Sequence, residues 1–276
     1  MNVKTLQDIP PWEWPKDAGK TIRKALIDRQ ANESDRLVAA EFAGEIVVIN
    51  DELADSLVTI VGSPDESEEL RSTAAIALGP VIEQTETDGF DDPDEPPIIT
   101  EGVFRNIRES LQKLYFDDTV PKQVRRRILE ASIRAPEKWH ESAIRAAYAS
   151  GDRDWVLTAV FSMRWVRGFD DQILEALKSS DPEIHFEAVE AASNWQLDGA
   201  WSHVVDLVQD DRTPKQLLLA AIMAVGSIRP KEAGPILVDL ADSDDEEIAE
   251  AANEAMAMAE IPFDEEDEEG QGEWMN

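Results

Sequence analysis

Few side chains in this chain could do chemistry, and they are scattered. Three histidines are present, His140, His185 and His203, and there is no cysteine. Without thiols there can be no disulfide, thiolate metal site or cysteine nucleophile. A helical zinc site wants two histidines one turn apart, as in H-E-x-x-H, and no such pair occurs. Carboxylates number 59, so close acid pairs arise by chance and do not point to glycosidase-type catalysis. There is no Gly-rich phosphate loop and no G-x-S-x-G. The acidic run from Glu86 to Glu95 lacks the ligand order of an EF-hand calcium loop. The expectation is therefore no catalytic residue, no cofactor and no metal.

The remaining candidates are binding residues, and helices must position them. In Thr213 to Ile228, the residues Leu217, Ala221, Ala224, Val225 and Ile228 recur at i, i+4, i+7, i+8 and i+11. That is one apolar stripe at helical period. Pro214 suits a first helical turn, and Pro230 is expected to stop the helix. With Leu217 as anchor, similar helices start at Leu70, Val124, Trp155, Ile184 and Ile248, spaced 54, 31, 29, 33 and 31 residues apart. A recurring period of this size marks a solenoid. A fainter copy sets Ala39, Ala40 and Gly44 over Ala74, Ala75 and Gly79. Small residues on the stripe let a neighbouring helix approach closely. Partner helices fall between the copies, at 53–62, 103–116, 141–150, 171–180, 199–208 and 232–241, and make about seven pairs.

The pattern L-R-x-x-A-A-x-A-L-G at Leu70 to Gly79 resembles the HEAT-repeat family, in the short form of bacterial phycobilisome-lyase-like proteins. The resemblance covers roughly residues 16–260. It implies an all-α, right-handed α-solenoid of about seven antiparallel HEAT-like helix pairs. It also implies that an arginine after the anchor tethers neighbouring repeats. Arg71 and Arg125 fit that role, while His185, Leu218 and Ala249 depart from it. HEAT-type deoxyhypusine hydroxylases use several His-Glu dipeptides in separate repeats. This chain has one, His140-Glu141, so that activity is not expected.

The organisation then reads as an N-terminal aromatic and proline cap at 1–15, with the prolines of PPWEWP excluding a helix. Pairs one and two follow at 16–85, an acidic inserted loop at 86–100, pairs three to seven at 101–260, and a disordered acidic tail at 261–276. Trp12 and Trp14 are expected to cover the open end of the first repeat. By the resemblance, positions facing away from the stripe line a concave surface. This predicts a partner-binding groove of Leu157, Phe161, Trp165, Phe186, Leu219 and Met223, flanked by Arg126, Arg127, Arg134 and Arg164. The tail, ending in Trp274 and Met275, is complementary to such a groove and is expected to occupy it.

The formal net charge is −33, which disfavours direct contact with nucleic acid. It suits solubility, a salty host or attraction of a basic partner. The N-terminus lacks a signal-peptide apolar run, and no stretch approaches the ~18 apolar residues of a membrane span. A soluble, cytoplasmic protein is expected. The functional expectation is a non-enzymatic scaffold or adaptor that binds another protein through a basic or apolar segment. Two alternatives stay open. One is a chromophore lyase or chaperone-like protein holding a small ligand in the same groove. The other is an acidic DNA-mimic regulator.

Overall fold

The computed structural model describes residues 3–92 and 96–258. Among these there are fifteen α-helices, three short 3-10 turns and no strand. The helices follow one another as pairs in a solenoid-like repeat. They fall into two compact units, Met1–Val166 and Arg167–Asn276.

Unit 1 contains four pairs. They are α1 (Ala18–Ile27) with α2 (Glu33–Ala43), α3 (Asp51–Gly62) with α4 (Glu68–Ala77), α6 (Glu101–Tyr115) with α7 (Lys122–Ser132), and α8 (Lys138–Ala149) with α9 (Arg153–Ser162). The second helices stack in series, α2 on α4, α4 on α7 and α7 on α9. One helix falls outside this scheme. Leu78 ends α4 and starts α5 (Gly79–Asp88), which packs on α7. The acidic segment without helix is thus 89–100, of which 93–95 lie outside the described residues.

Local chemistry sets most helix starts. Asn32, Asn50, Ser67, Thr100 and Asp152 each accept a backbone N–H of the first turn of their helix. Such caps satisfy donors that the helix itself cannot. Acidic residues in the first turns of α2, α3 and α4 complement the helix dipole. Apolar stripes then meet inside, with Leu53, Leu57 and Val61 of α3 and Leu70, Ala74 and Ala75 of α4 all buried.

Backbone contact between stacked second helices is closest at glycine. A Cβ on Gly44, at the end of α2, would lie 2.3 Å from the Ala77 carbonyl oxygen of α4. The backbone of Gly44 is right-handed helical, with φ −83°. Glycine is needed there for space and not for conformational freedom.

In the first two pairs an arginine ties the first helix to its second, so the bond expected of Arg71 between neighbouring repeats closes within its own pair. Arg71 is buried, and its Nε donates to the Val61 carbonyl at 2.9 Å. Arg36 does the same to Leu26 at 3.0 Å. It also grips Glu66 with both terminal nitrogens, at 2.5 and 2.8 Å. The Arg36 hydrogen bonds hold the Glu66 carboxyl below the usual carboxylate range. Arg125, expected to tether neighbouring repeats, instead pairs with Asp118 at 2.8 Å and lies over the Trp155 ring.

At the N-terminus the prolines do not exclude every helical turn. Pro11–Glu13 forms one 3-10 turn, with Pro11 at the position where no N–H is required. The Trp14 indole donates to Leu6 and Ile9 carbonyls at 3.2 and 2.8 Å and packs on Phe42. Trp12 does not take part in this cover, since it is 77% exposed.

Unit 2 contains three pairs. They are α10 (Asp170–Ala176) with α11 (Pro182–Asn194), α12 (Trp201–Gln209) with α13 (Lys215–Ile228), and α14 (Pro230–Ala241) with α15 (Glu246–Ala257). Ala221, Ala224 and Val225 of the α13 stripe are buried, while Leu217 and Ile228 are half-buried. Gly226 repeats the close approach, since a Cβ there would lie 2.8 Å from the Ala255 carbonyl oxygen of α15. Pro230 does not simply stop α13. It occupies the first turn of α14, and Arg229 alone makes the corner. Asp198 holds Arg229 there at 2.8 Å, with the guanidinium over Trp201.

His140 of α8 is wholly buried and serves the start of its own helix. Its Nδ1 accepts the Glu137 N–H at 2.8 Å, so Nε2 carries the proton and meets Ser132 Oγ at 3.0 Å. Burial first of all pushes the ring down to about 4. A folded value below the unfolded one favours the neutral ring. Stability is then complete above about pH 6.5 and falls as acid protonates the unfolded chain preferentially.

Two predictions follow from packing and protonation. Gly44→Ala should destabilise unit 1 by about 1–3 kcal/mol, the usual cost of overpacking. Gly102→Ala in α6, with nothing within 4 Å of the new methyl, should be neutral or stabilising by up to ~1 kcal/mol. Urea unfolding followed by circular dichroism checks both, and equal effects would contradict the packing account. Between pH 7 and pH 4, wild type should lose on the order of 3 kcal/mol relative to His140→Leu. Parallel pH profiles for the two proteins would contradict a neutral buried His140.

Candidate protein-binding groove

The clearest concave apolar surface that matches the sequence expectation lies within unit 2. Phe186 of α11, Leu219, Ala220 and Met223 of α13, and Ala251 of α15 share a groove of about 430 Å³. Stacking of α11, α13 and α15 brings them together, because each second helix offers the same face to the same side. Phe186, Leu219 and Met223 are half-buried, so each keeps accessible surface in the groove.

The rim is acidic. Glu190, Gln216, Glu247, Glu250 and Glu254 line the same groove. Lys215 partly neutralises Glu247 at 2.6 Å. Glu250 and Glu254 are exposed, one turn apart on α15, and carry no ion pair among the described residues. The expected arginine flanks do not occur in this groove. A carboxylate rim around an apolar floor attracts cations and repels anions.

The other predicted groove residues belong to unit 1, where most are engaged in the fold. Arg126 is 4% exposed. Its Nε donates to Thr158 Oγ1 at 2.9 Å, and that hydroxyl donates to Glu130 Oε1 at 2.6 Å. It therefore joins α7 to α9 and does not flank an open surface. Arg127 pairs with the same buried Glu130. Arg134 reaches Glu83 at 2.5 Å and covers the Trp165 ring. Arg164 lies over Phe161. Leu157, Phe161 and Trp165 are half-buried. The expected basic and aromatic island is in this unit mostly a set of guanidinium groups stacked on its own rings.

On the other flank of unit 2, His185 of α11 faces His203 of α12, Nε2 to Nε2 at 2.7 Å. One shared proton satisfies that contact. Burial first of all lowers both rings from their ordinary value, and for His185 the neighbouring imidazole adds to it. Among the described residues no three His, Asp or Glu side chains converge as metal ligands.

Residues 171–257, from α10 to α15, match the family described as HEAT repeats. No curated protein matches the chain. Among solved structures, YibA of Escherichia coli aligns at 17% identity over 94% of this chain and 86% of its own, with a TM-score of 0.48. Human deoxyhypusine hydroxylase in complex with glycerol aligns at 17% identity over 94% and 88%, with a TM-score of 0.40. Neither alignment bears on function, and the family match does not single out a phycobilisome-lyase-like repeat. Unit 2 carries a HEAT-repeat-like region, in an all-α chain whose fold is compatible with surfaces for protein–protein interaction.

Proposed function

We propose that the chain is a non-enzymatic adaptor and that unit 2 holds a basic, amphipathic segment of another protein. The observation that carries this reading is one groove with an apolar floor of Phe186, Leu219 and Met223 under the rim carboxylates Glu190, Glu250 and Glu254. Apolar side chains of a partner helix would bury on the floor, as in other helix-in-groove contacts. Lysine or arginine one turn away would meet the rim, steering the encounter and fixing its register. The net charge of −33 extends that attraction. A basic segment of a nucleic-acid-binding protein meets the same description, which is the form the DNA-mimic alternative takes here. A tetrapyrrole fits less well, because its carboxylates would face the rim.

A fluorescent amphipathic Lys/Leu helical peptide serves as the probe, titrated against the full chain and read by anisotropy. Phe186→Ala should weaken binding roughly tenfold at every salt concentration, as expected for a truncated anchor. Glu250→Lys with Glu254→Lys should weaken it mainly at low salt and flatten its salt dependence. Phe161→Ala in unit 1 should leave it unchanged. Equal binding by wild type and both groove variants, with helicity intact, would defeat the proposal.

A further inference from the structure

A second groove, of about 840 Å³, lies in unit 1 beside α1, and its charge is opposite to that of the chain. Lys16, Lys20, Arg23 and Lys24 line it, and Glu52 is the one acid among its lining residues. Lys20, Arg23, Lys24 and Ile27 recur at i, i+3, i+4 and i+7, so they share one face of α1. Arg23 is 3.5 Å from Glu52. Lys16, Lys20 and Lys24 are exposed and carry no ion pair among the described residues.

The helix itself gives no reason for two of these lysines. Lys16 and Lys20 stand at the start of α1, where the helix dipole disfavours a cation, and no acid occupies that first turn. Lys122 and Lys215 open α7 and α13 in the same way, but both are paired. Lys122 meets Asp152 and Asp154, and Lys215 meets Asp245 and Glu247. In a chain with 59 acidic and 26 basic residues, Lys16, Lys20 and Lys24 together leave a local charge without its complement.

The same groove carries exposed apolar surface. Trp12 is 77% exposed, Val47 56% and Ile27 49%, and all three line it along with Pro11 and Pro15. The positive face is also short. Exposed Asp17 and Asp28 flank the two ends of α1, a length of about 15 Å, which four or five extended residues span. The occupant must therefore be a short segment that brings both negative charge and a large apolar side chain.

We propose that this groove docks a short acidic segment of another protein, with a large apolar side chain among its carboxylates. The carboxylates meet Lys16, Lys20 and Lys24, and the apolar side chain covers the Trp12, Ile27 and Val47 surface. At about 0.1 M salt the Debye length is about 10 Å, so a segment of this size responds to the three lysines more than to the net charge. A membrane surface or a nucleic-acid strand reaches past Asp17 and Asp28 and meets the rest of an acidic chain, which repels it. Two copies at a charge of −33 repel each other as well. The tail at 261–276, expected to occupy a groove of this chain, lies outside the described residues. The site in unit 1 does not depend on the groove of unit 2. With both, the adaptor holds one acidic and one basic segment.

The test is fluorescence anisotropy of a labelled peptide of six glutamates and two leucines, titrated with the full chain at about 0.1 M salt. Lys20→Glu with Lys24→Glu should weaken binding about tenfold or more. Lys138→Glu with Lys231→Glu reverses two exposed lysines elsewhere and lowers the net charge equally, and it should leave binding within about twofold. Trp12→Ala should weaken binding about threefold, and replacing the leucines of the peptide by serine should cost at least as much. Circular dichroism checks that each variant keeps its helices. No binding by wild type would overturn the proposal, as would equal losses from the two pairs of reversals. So would a serine peptide that binds as well as the leucine one, or tighter binding of phosphatidylserine vesicles or oligothymidylate through Lys20 and Lys24. Binding of the Lys/Leu peptide to unit 2 is a separate measurement, so either reading can fail alone.

Discussion

Within each unit, stacked second helices meet through methyl groups and bare backbone, α2 on α4 in unit 1 and α13 on α15 in unit 2, and the neighbouring layers are arranged around that contact. Gly44 against Ala77 and Gly226 against Ala255 set the distance. Nothing larger than hydrogen fits at either glycine without moving a carbonyl. Close stacking lets the longer side chains, such as Leu53 and Leu57, fill the layer between first and second helices. It also leaves second helices side by side with one face uncovered. Phe186, Leu219 and Met223 become neighbours for that reason, although they are distant in sequence.

A chain this acidic must also decide where its few cations go. Buried arginines take part in the frame, as Arg36 and Arg71 do by closing carbonyls at the ends of first helices. Arg126 does so by joining α7 to α9 through Thr158 and Glu130. Such groups are well matched to this task. The guanidinium stays charged, and its fork can serve a carbonyl and a carboxylate together. Arginines nearer the surface lie over Phe161, Trp165, Trp195 and Trp201. Lysines 16, 20 and 24 are left over from both arrangements, and they gather at one place.

Much of the frame could be read in advance, because alanine and leucine at helical spacing admit little else. The α13 stripe, the stacking through small residues and the copies from Leu70 to Ile248 rest on that local signal. The binding surfaces were harder. Phe186, Leu219 and Met223 were legible as outward positions, but Glu250 and Glu254 lie on the next second helix and join them only through packing. Arg126 looked exposed by stripe geometry. It is buried because α9 covers that flank of α7. Arg36 carries no stripe signal of its own, and only the register of Ala39, Ala40 and Gly44 aligns it with Arg71. The cationic face of α1 was visible as Lys16, Lys20, Arg23 and Lys24, a local reversal of sign that the overall charge obscured. Trp14 and Trp12 look alike in PPWEWP, and only the fold separates the ring that seals Phe42 from the one that faces solvent.

The first two pairs have an agreement that goes beyond likeness. Leu26, Asn32, Arg36, Ala39, Ala40 and Gly44 correspond to Val61, Ser67, Arg71, Ala74, Ala75 and Gly79, each 35 positions later. The cap and the arginine bond recur at one offset, whereas Gly79 faces the Arg134 side chain where Gly44 faces helix backbone. Excising 35 residues between two such matched positions would therefore shorten the frame by one pair and leave the cap and the arginine bond of the remaining pair in register.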